Sequence, residues 1–146
     1  MFSKACQYGI KSVIYIWKQS LLGNKVGAKE IAEHVDAPEP FTAKILQELV
    51  RKNIIGSQKG PTGGFYADKA HEKYTLRDLV EVIDGDGLFH GCSLGLKECS
   101  ETNPCPLHHE IKKVRSHVIN MLTKKSLNQL AEEVERGETV LARFDI

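Results

Sequence analysis

Apolar residues return every three or four positions in the first part of the chain: Ile10, Val13, Ile14, Trp17 and Leu21 fall at i, i+3, i+4, i+7 and i+11. That spacing gathers them on one face of a helix running from Cys6 to about Leu22. Gly23 and Asn24 end it. A shorter helix is predicted from about Ala28 to Val35, with Ile31, Ala32 and Val35 inward. Asp36, Ala37 and Pro38 then turn the chain, because proline disfavours helical geometry in the residue before it. The next helix starts near 38–41, where a first-turn proline is tolerated, and runs to about Asn53 with Ile45, Leu46, Leu49 and Val50 inward. Two helices joined by a few residues and preceded by an amphipathic helix form a helix-turn-helix arrangement.

Behind it, two short β-prone runs, 54–59 and 65–67, flank the turn Gly60-Pro61-Thr62-Gly63-Gly64. They read as a hairpin, and a hairpin in that position is a wing. A helix over 75–83 is capped by Thr75 and broken by Asp84-Gly85-Asp86-Gly87. No period persists from Leu88 to about Pro106. Beyond that, Ile111, Val114, Val118 and Met121, with Leu122 beside it, mark a long helix whose narrow apolar seam resembles a coiled-coil interface. A seam without a partner in its own chain asks for a second copy. A last helix spans about Leu127 to Glu135 and stops at Gly137. The expected fold is therefore mainly α with a small β-hairpin wing. Residues 1–84 form a winged helix-turn-helix (wing about 54–67), 85–106 a cysteine-containing loop, and 107–146 a dimerisation helix and a C-terminal helix.

With 146 residues, there is room for one domain and an appendage, not for two full-sized domains. No run approaches the roughly 18 consecutive apolar residues of a membrane span, and Met1 to Cys6 does not read as a secretion signal. A soluble, cytoplasmic protein without membrane partners is the expectation. The net charge of +1 is unevenly divided: residues 1–69 hold ten Lys/Arg against six Asp/Glu, while 70–146 hold ten against thirteen. A basic front half suits a polyanion.

The helix at 38–52 is the candidate recognition helix. Glu39, Thr42, Ala43, Lys44 and Gln47 are expected on its N-terminal outer face, where this motif meets base edges. Thr42 and Gln47 would hydrogen-bond to bases, Lys44 would reach phosphate or guanine, and Glu39 either reads a cytosine amino group or points away. Lys52 joins them at the end of the helix. In the wing, Gln58, Lys59, Thr62, Gly63 and Gly64 combine a cation with bulk-free glycines and amides for close approach to a sugar-phosphate backbone. A compact winged helix can also serve as a protein-binding module.

Four cysteines are present, three of them as Cys92-x6-Cys99-x5-Cys105, with His108 three residues further on. In a reducing compartment such a trio is a metal, cluster or redox site more often than a disulfide framework. Three thiolates can converge on iron, whose fourth ligand need not be cysteine; His108 is the nearest candidate and His109 its rival. Zinc also accepts three Cys and one His, although its structural sites usually contain Cys-x2-4-Cys pairs that are missing here. A thiol switch is the third possibility, and Cys6 reads as packing. No Ser/His/Asp or paired-carboxylate arrangement marks an enzyme.

Taken together, Glu30-Ile31-Ala32, the run Leu49 to Asn53, the wing Lys59 to Phe65 and the three-cysteine loop resemble the Rrf2 family of bacterial winged helix-turn-helix regulators over nearly the whole chain. That family includes iron-sulfur, nitric-oxide and iron sensors. The apolar seam implies a homodimer joined through Ile111, Val114, Val118, Met121 and Leu122, whose two-fold axis suits a palindromic double-stranded DNA operator. The resemblance implies an iron-sulfur cluster held by Cys92, Cys99, Cys105 and, as in relatives that use a histidine, His108. A histidine ligand is similar to the family's cluster-biogenesis regulators and favours [2Fe-2S] over [4Fe-4S]. Other relatives take a carboxylate from the first helix, but this chain has Gln7, Tyr8 and Gly9 there, leaving Cys6 and His34 as outside possibilities. A cofactor-free or zinc-bound thiol-responsive repressor and a small electron-transfer protein are the alternatives.

Overall fold

The first helix is held at its start by side chains from opposite ends of the winged unit. In the computed structural model, which describes residues 1–141, Ser3 Oγ accepts the Cys6 amide at 3.0 Å and the Ser3 amide donates to Asp84 at 3.1 Å. This cap starts α1, Lys4–Leu21. From Ser12 to Trp17 α1 is buried on all sides, because the second, third, fourth and last helices all pack against it. Leu21, expected on the inner stripe, is exposed: it lies beyond the reach of those neighbours.

Helices α2, Ala28–Val35, and α3, Glu39–Arg51, form the helix-turn-helix. Asp36 takes a left-handed conformation (φ 55°) at the turn, where the Ala37 amide reaches back to the Ala32 carbonyl at 2.9 Å. Ile45, Leu46 and Leu49 of α3 are buried as the periodicity predicts.

The wing consists of β1, Gly56–Gln58, antiparallel to β2, Gly64–Tyr66, with Ser57 opposite Phe65. The hairpin is not free-standing. Val26, just ahead of α2, exchanges both backbone hydrogen bonds with Phe65, at 2.7 and 3.1 Å. Gly64 sits at this crossing with φ +144°, where an added Cβ would lie 2.8–2.9 Å from the Val26 backbone. Only glycine fits that approach.

A 3-10 turn at Lys69–His71 leads into α4, Leu76–Asp84, whose Asp78 carboxylate accepts the Thr75 amide at 2.8 Å. Residues 85–107 form the long loop, followed by α5, His108–Thr123, and α6, Leu127–Glu135. Helix α6 returns to α1 and buries Leu127, Ala131 and Val134 in the common core. The C-terminal helix therefore completes the winged unit instead of extending an appendage; residues 142–146 of the predicted 107–146 segment lie outside the described residues.

Helix α5 divides its apolar residues between two environments. Val114 and Met121 are 59% and 49% exposed, and Ile111 and Val118 are half-buried. Leu122, expected at a dimer interface, is instead fully buried in this chain's own core; one residue on from Met121 turns the side chain about 100° around the helix. Leu122→Ala is expected to cost about 2–5 kcal/mol of the chain's own stability, measured as a lowered urea midpoint. A midpoint equal to wild type would mean that Leu122 is not a core residue.

Candidate metal centre and nucleic-acid interface

The cysteine loop is anchored before it reaches the first thiol. Phe89 is buried, its ring lies 4.8 Å from the Arg77 guanidinium of α4, and Arg115 of α5 donates to the Leu88 carbonyl at 3.2 Å. The start of the loop is thus fastened to both flanking helices. Gly91 and Gly95, with φ +83° and +75°, then fold the segment back on itself.

This folding brings the three thiols together. Cys92, Cys99 and Cys105 are free and half-buried, with all three sulfurs within 4.8 Å of one another and Cys92 to Cys105 at 3.7 Å. The Cys105 amide donates to Cys99 Sγ at 3.4 Å. His108, the first residue of α5, places Nδ1 at 3.2 Å from Cys99 Sγ. His109 is exposed and lies edge-on to the His108 ring, so His108 is the imidazole that reaches sulfur. Around the thiols, Gly91, Ser93, Ile111 and Arg115 help to line a cavity of about 210 Å³.

Backbone amides of Leu96 and Leu94 draw the Cys92 thiol down to about 7, against partial burial and with help from the Cys105 and Cys99 side chains. For Cys99, the Cys105 amide acts downward, yet burial and the two neighbouring cysteines push the thiol up overall. The two sulfurs are thus pushed in opposite directions by the backbone and by each other. Three soft sulfur donors and one imidazole nitrogen in a single pocket fit an iron-sulfur cluster, and also zinc. Cys6 offers no such donor: it is buried in the α1 core, where burial and nearby Asp84 push its thiol up to about 12. His34 stacks on Tyr15 between α1 and α2.

On the recognition helix, Glu39, Lys44, Gln47 and Lys52 are exposed and Ala43 is half-buried. Thr42 is a correction. It is 1% exposed and its hydroxyl donates to the Pro38 carbonyl at 2.9 Å, so it cannot face a base edge. In the wing, Gln58, Lys59 and Thr62 are exposed. Gly63 and Gly64 are half-buried and serve the turn itself: the Gly63 amide donates to the Gly60 carbonyl at 3.0 Å, and a Cβ there would lie 2.0 Å from the Gln58 oxygen.

Sequence reasoning overlooked Glu101, Lys112 and Arg115, all beside the thiols. Glu101 Oε1 lies 3.3 Å from His108 Nε2 and also pairs with Lys112. Lys112 first, then His108, holds the Glu101 carboxyl below the usual carboxylate range. No local pattern announces such contacts.

A helix-turn-helix, a wing stitched to it by Val26 and a helix bearing the thiol pocket define a winged helix-turn-helix regulator. The Rrf2 family model, described as an iron-dependent transcriptional regulator, matches residues 2–133, and the chain belongs to that family. A protein of Aquifex aeolicus named as an HTH-type transcriptional regulator is 29% identical over 138 residues, 93% of this chain and 94% of that one. Among solved structures, CymR of B. subtilis, titled the global cysteine regulator, superposes with a TM-score of 0.73 at 20% identity, covering 90% of this chain and 96% of CymR. IscR of T. potens gives 0.71 at 18% identity, covering 96% and 92%. The winged fold is thereby shared, and the chain is a transcriptional regulator rather than an enzyme. Among the described residues, no helix is long and apolar enough to cross a membrane.

Proposed function

We propose that this chain is a homodimeric, DNA-binding repressor or activator whose operator affinity is set by an iron-sulfur cluster on Cys92, Cys99, Cys105 and His108. The observation that carries it is the convergence of three sulfurs on a loop clamped between α4 and α5, with the imidazole nitrogen of His108, at the start of α5, against one of them, Cys99. When bound, the cluster supplies an oxidation-labile cross-link between loop and helix, and a histidine ligand favours the two-iron form.

The protein's own groups convert that link into a change at DNA. His108 is the first residue of α5, so fixing its ring fixes the start of the helix. Arg115, two turns on, ties α5 to Leu88, and Phe89 joins the loop to α4, which packs on α1 and α3. Val114 and Met121, flanked by half-buried Ile111 and Val118, offer a second copy an apolar strip. A two-fold axis there would present two α3 helices to successive major grooves of a palindromic operator. Lys44, Gln47 and Glu39 would face bases, with Lys52, Gln58, Lys59 and Thr62 on the backbone. A coupling of about 1–3 kcal/mol alters operator affinity roughly 5- to 150-fold.

Anaerobic purification with visible absorption, iron and sulfide analysis, and electron paramagnetic resonance before and after reduction tests the cluster. The reading expects coloured protein with equal iron and sulfide; colourless, zinc-loaded protein overturns it. On the DNA side, Lys59→Ala should weaken binding to all duplexes and lower the salt slope by about one per protomer, about two for the dimer. An unchanged slope removes Lys59 from the phosphate contacts.

The 3.7 Å separation of Cys92 and Cys105 favours one second reading, a thiol switch without a metal. Both S–H bonds would break and one S–S bond form, with a peroxide-class oxidant taking two electrons and two protons to leave as water. Oxidised, metal-free protein that loses two titratable thiols and changes its DNA affinity would favour it.

A further inference from the structure

The two ring nitrogens of His108 face different partners: Nδ1 is 3.2 Å from Cys99 Sγ, and Nε2 is 3.3 Å from Glu101 Oε1. A neutral imidazole carries one proton and one lone pair, and only the lone pair can bind a metal. A carboxylate accepts and does not donate, so the proton belongs on Nε2 and the lone pair points into the sulfur pocket. We propose that Glu101 is the positioning residue for His108: its carboxylate fixes the Nε2–H tautomer and aims Nδ1 at the space between the thiols. The proposal rests on the ligand reading above and adds which nitrogen binds and what holds it there.

The surroundings of Glu101 are built for this contact. The segment between Cys99 and Cys105 closes on itself through reciprocal backbone bonds of Ser100 and Asn103, at 3.1 and 3.2 Å, and the Asn103 side chain donates to the Glu98 carbonyl at 3.3 Å. That turn carries Glu101 back onto α5. There Lys112, one helical turn beyond His108, pairs with the same carboxylate oxygen. The oxygen is therefore held from two positions on one face of α5. His109 is exposed, and its ring nitrogen also lies within 4.8 Å of the Glu101 carboxylate and the His108 ring, so what distinguishes the two adjacent histidines is the His108 contact to Cys99.

Nitrogen-15 NMR of the metal-free full chain at about pH 8, where imidazole is neutral, reads the tautomer directly. Wild type and Glu101→Gln, which keeps an accepting oxygen, should both show His108 protonated at Nε2. Glu101→Ala should show a mixture. In cluster-loaded protein, Glu101→Ala should lose iron to a chelator about 10-fold faster than wild type, with Glu101→Gln close to wild type. A Glu101→Ala protein that keeps the pure Nε2–H form, or a Glu101→Gln protein as labile as the alanine variant, overturns the proposal. If wild type takes up no cluster, the ligand reading fails, and the metal-free spectrum still decides the role of Glu101.

Discussion

Alanine at Cys99 should yield a folded protein that holds no cluster. Cys99 is the sulfur in contact with both the Cys105 amide and the His108 ring, so its loss removes one ligand and the contact that seats another. A cluster with an open position is quickly lost. The visible absorption and protein-bound iron should fall to background after anaerobic purification. Stability should change little, because Cys99 is half-buried in a loop that regular structure does not depend on. Cys6→Ala is the contrasting case. Its sulfur is fully buried in α1, so that variant should lose stability and keep its colour. Equal iron content in wild type and Cys99→Ala would remove Cys99 from the ligands.

The second large effect is expected at Gly64. Its φ of +144° is reserved for glycine, and its missing Cβ leaves the room in which the Val26 backbone approaches. Gly64→Ala combines backbone strain of about 1–3 kcal/mol with a steric clash of about 1–3 kcal/mol. The variant should unfold at markedly lower urea and bind DNA poorly because the wing separates from Val26. Gly60 has φ +106° but nothing within 4 Å, so alanine there should cost only the backbone part. Gly87→Ala, with neither constraint, should be close to neutral. Equal midpoints for the Gly60 and Gly64 variants would show that the Val26 crossing contributes nothing.

Local periodicity sufficed for elements whose surroundings are one-sided. The bounds of α2, 28–35, and α6, 127–135, follow from their apolar spacing and the flanking turn residues. It failed where a residue's partner is distant or its polarity is concealed. Thr42 precedes Ile45 by three positions and Leu46 by four, so it lies on the buried stripe, and its hydroxyl is satisfied by Pro38 four residues back. Leu122 and Met121 are neighbours in sequence but point to core and solvent respectively. The pairing of Val26 with Phe65 spans the whole helix-turn-helix and leaves no mark on either segment alone. For the site, residue type and spacing singled out the cysteine trio, whose sulfurs do lie together, while His108 was singled out by its nearness and by the family resemblance, and its ring does reach Cys99. Glu101 and Arg115 were not, because a charged residue in a polar loop or on an exposed helix carries no sign of what it touches.

The most direct test compares one preparation in two states. Anaerobically isolated protein selects duplexes from a randomised pool, and the affinity for the selected duplex is measured at fixed salt before and after the iron is stripped by a chelator. An affinity change of at least about 5-fold is expected, restored on anaerobic reconstitution with iron and sulfide and absent in Cys99→Ala. Equal affinity of the loaded and stripped forms for the same duplex would contradict it.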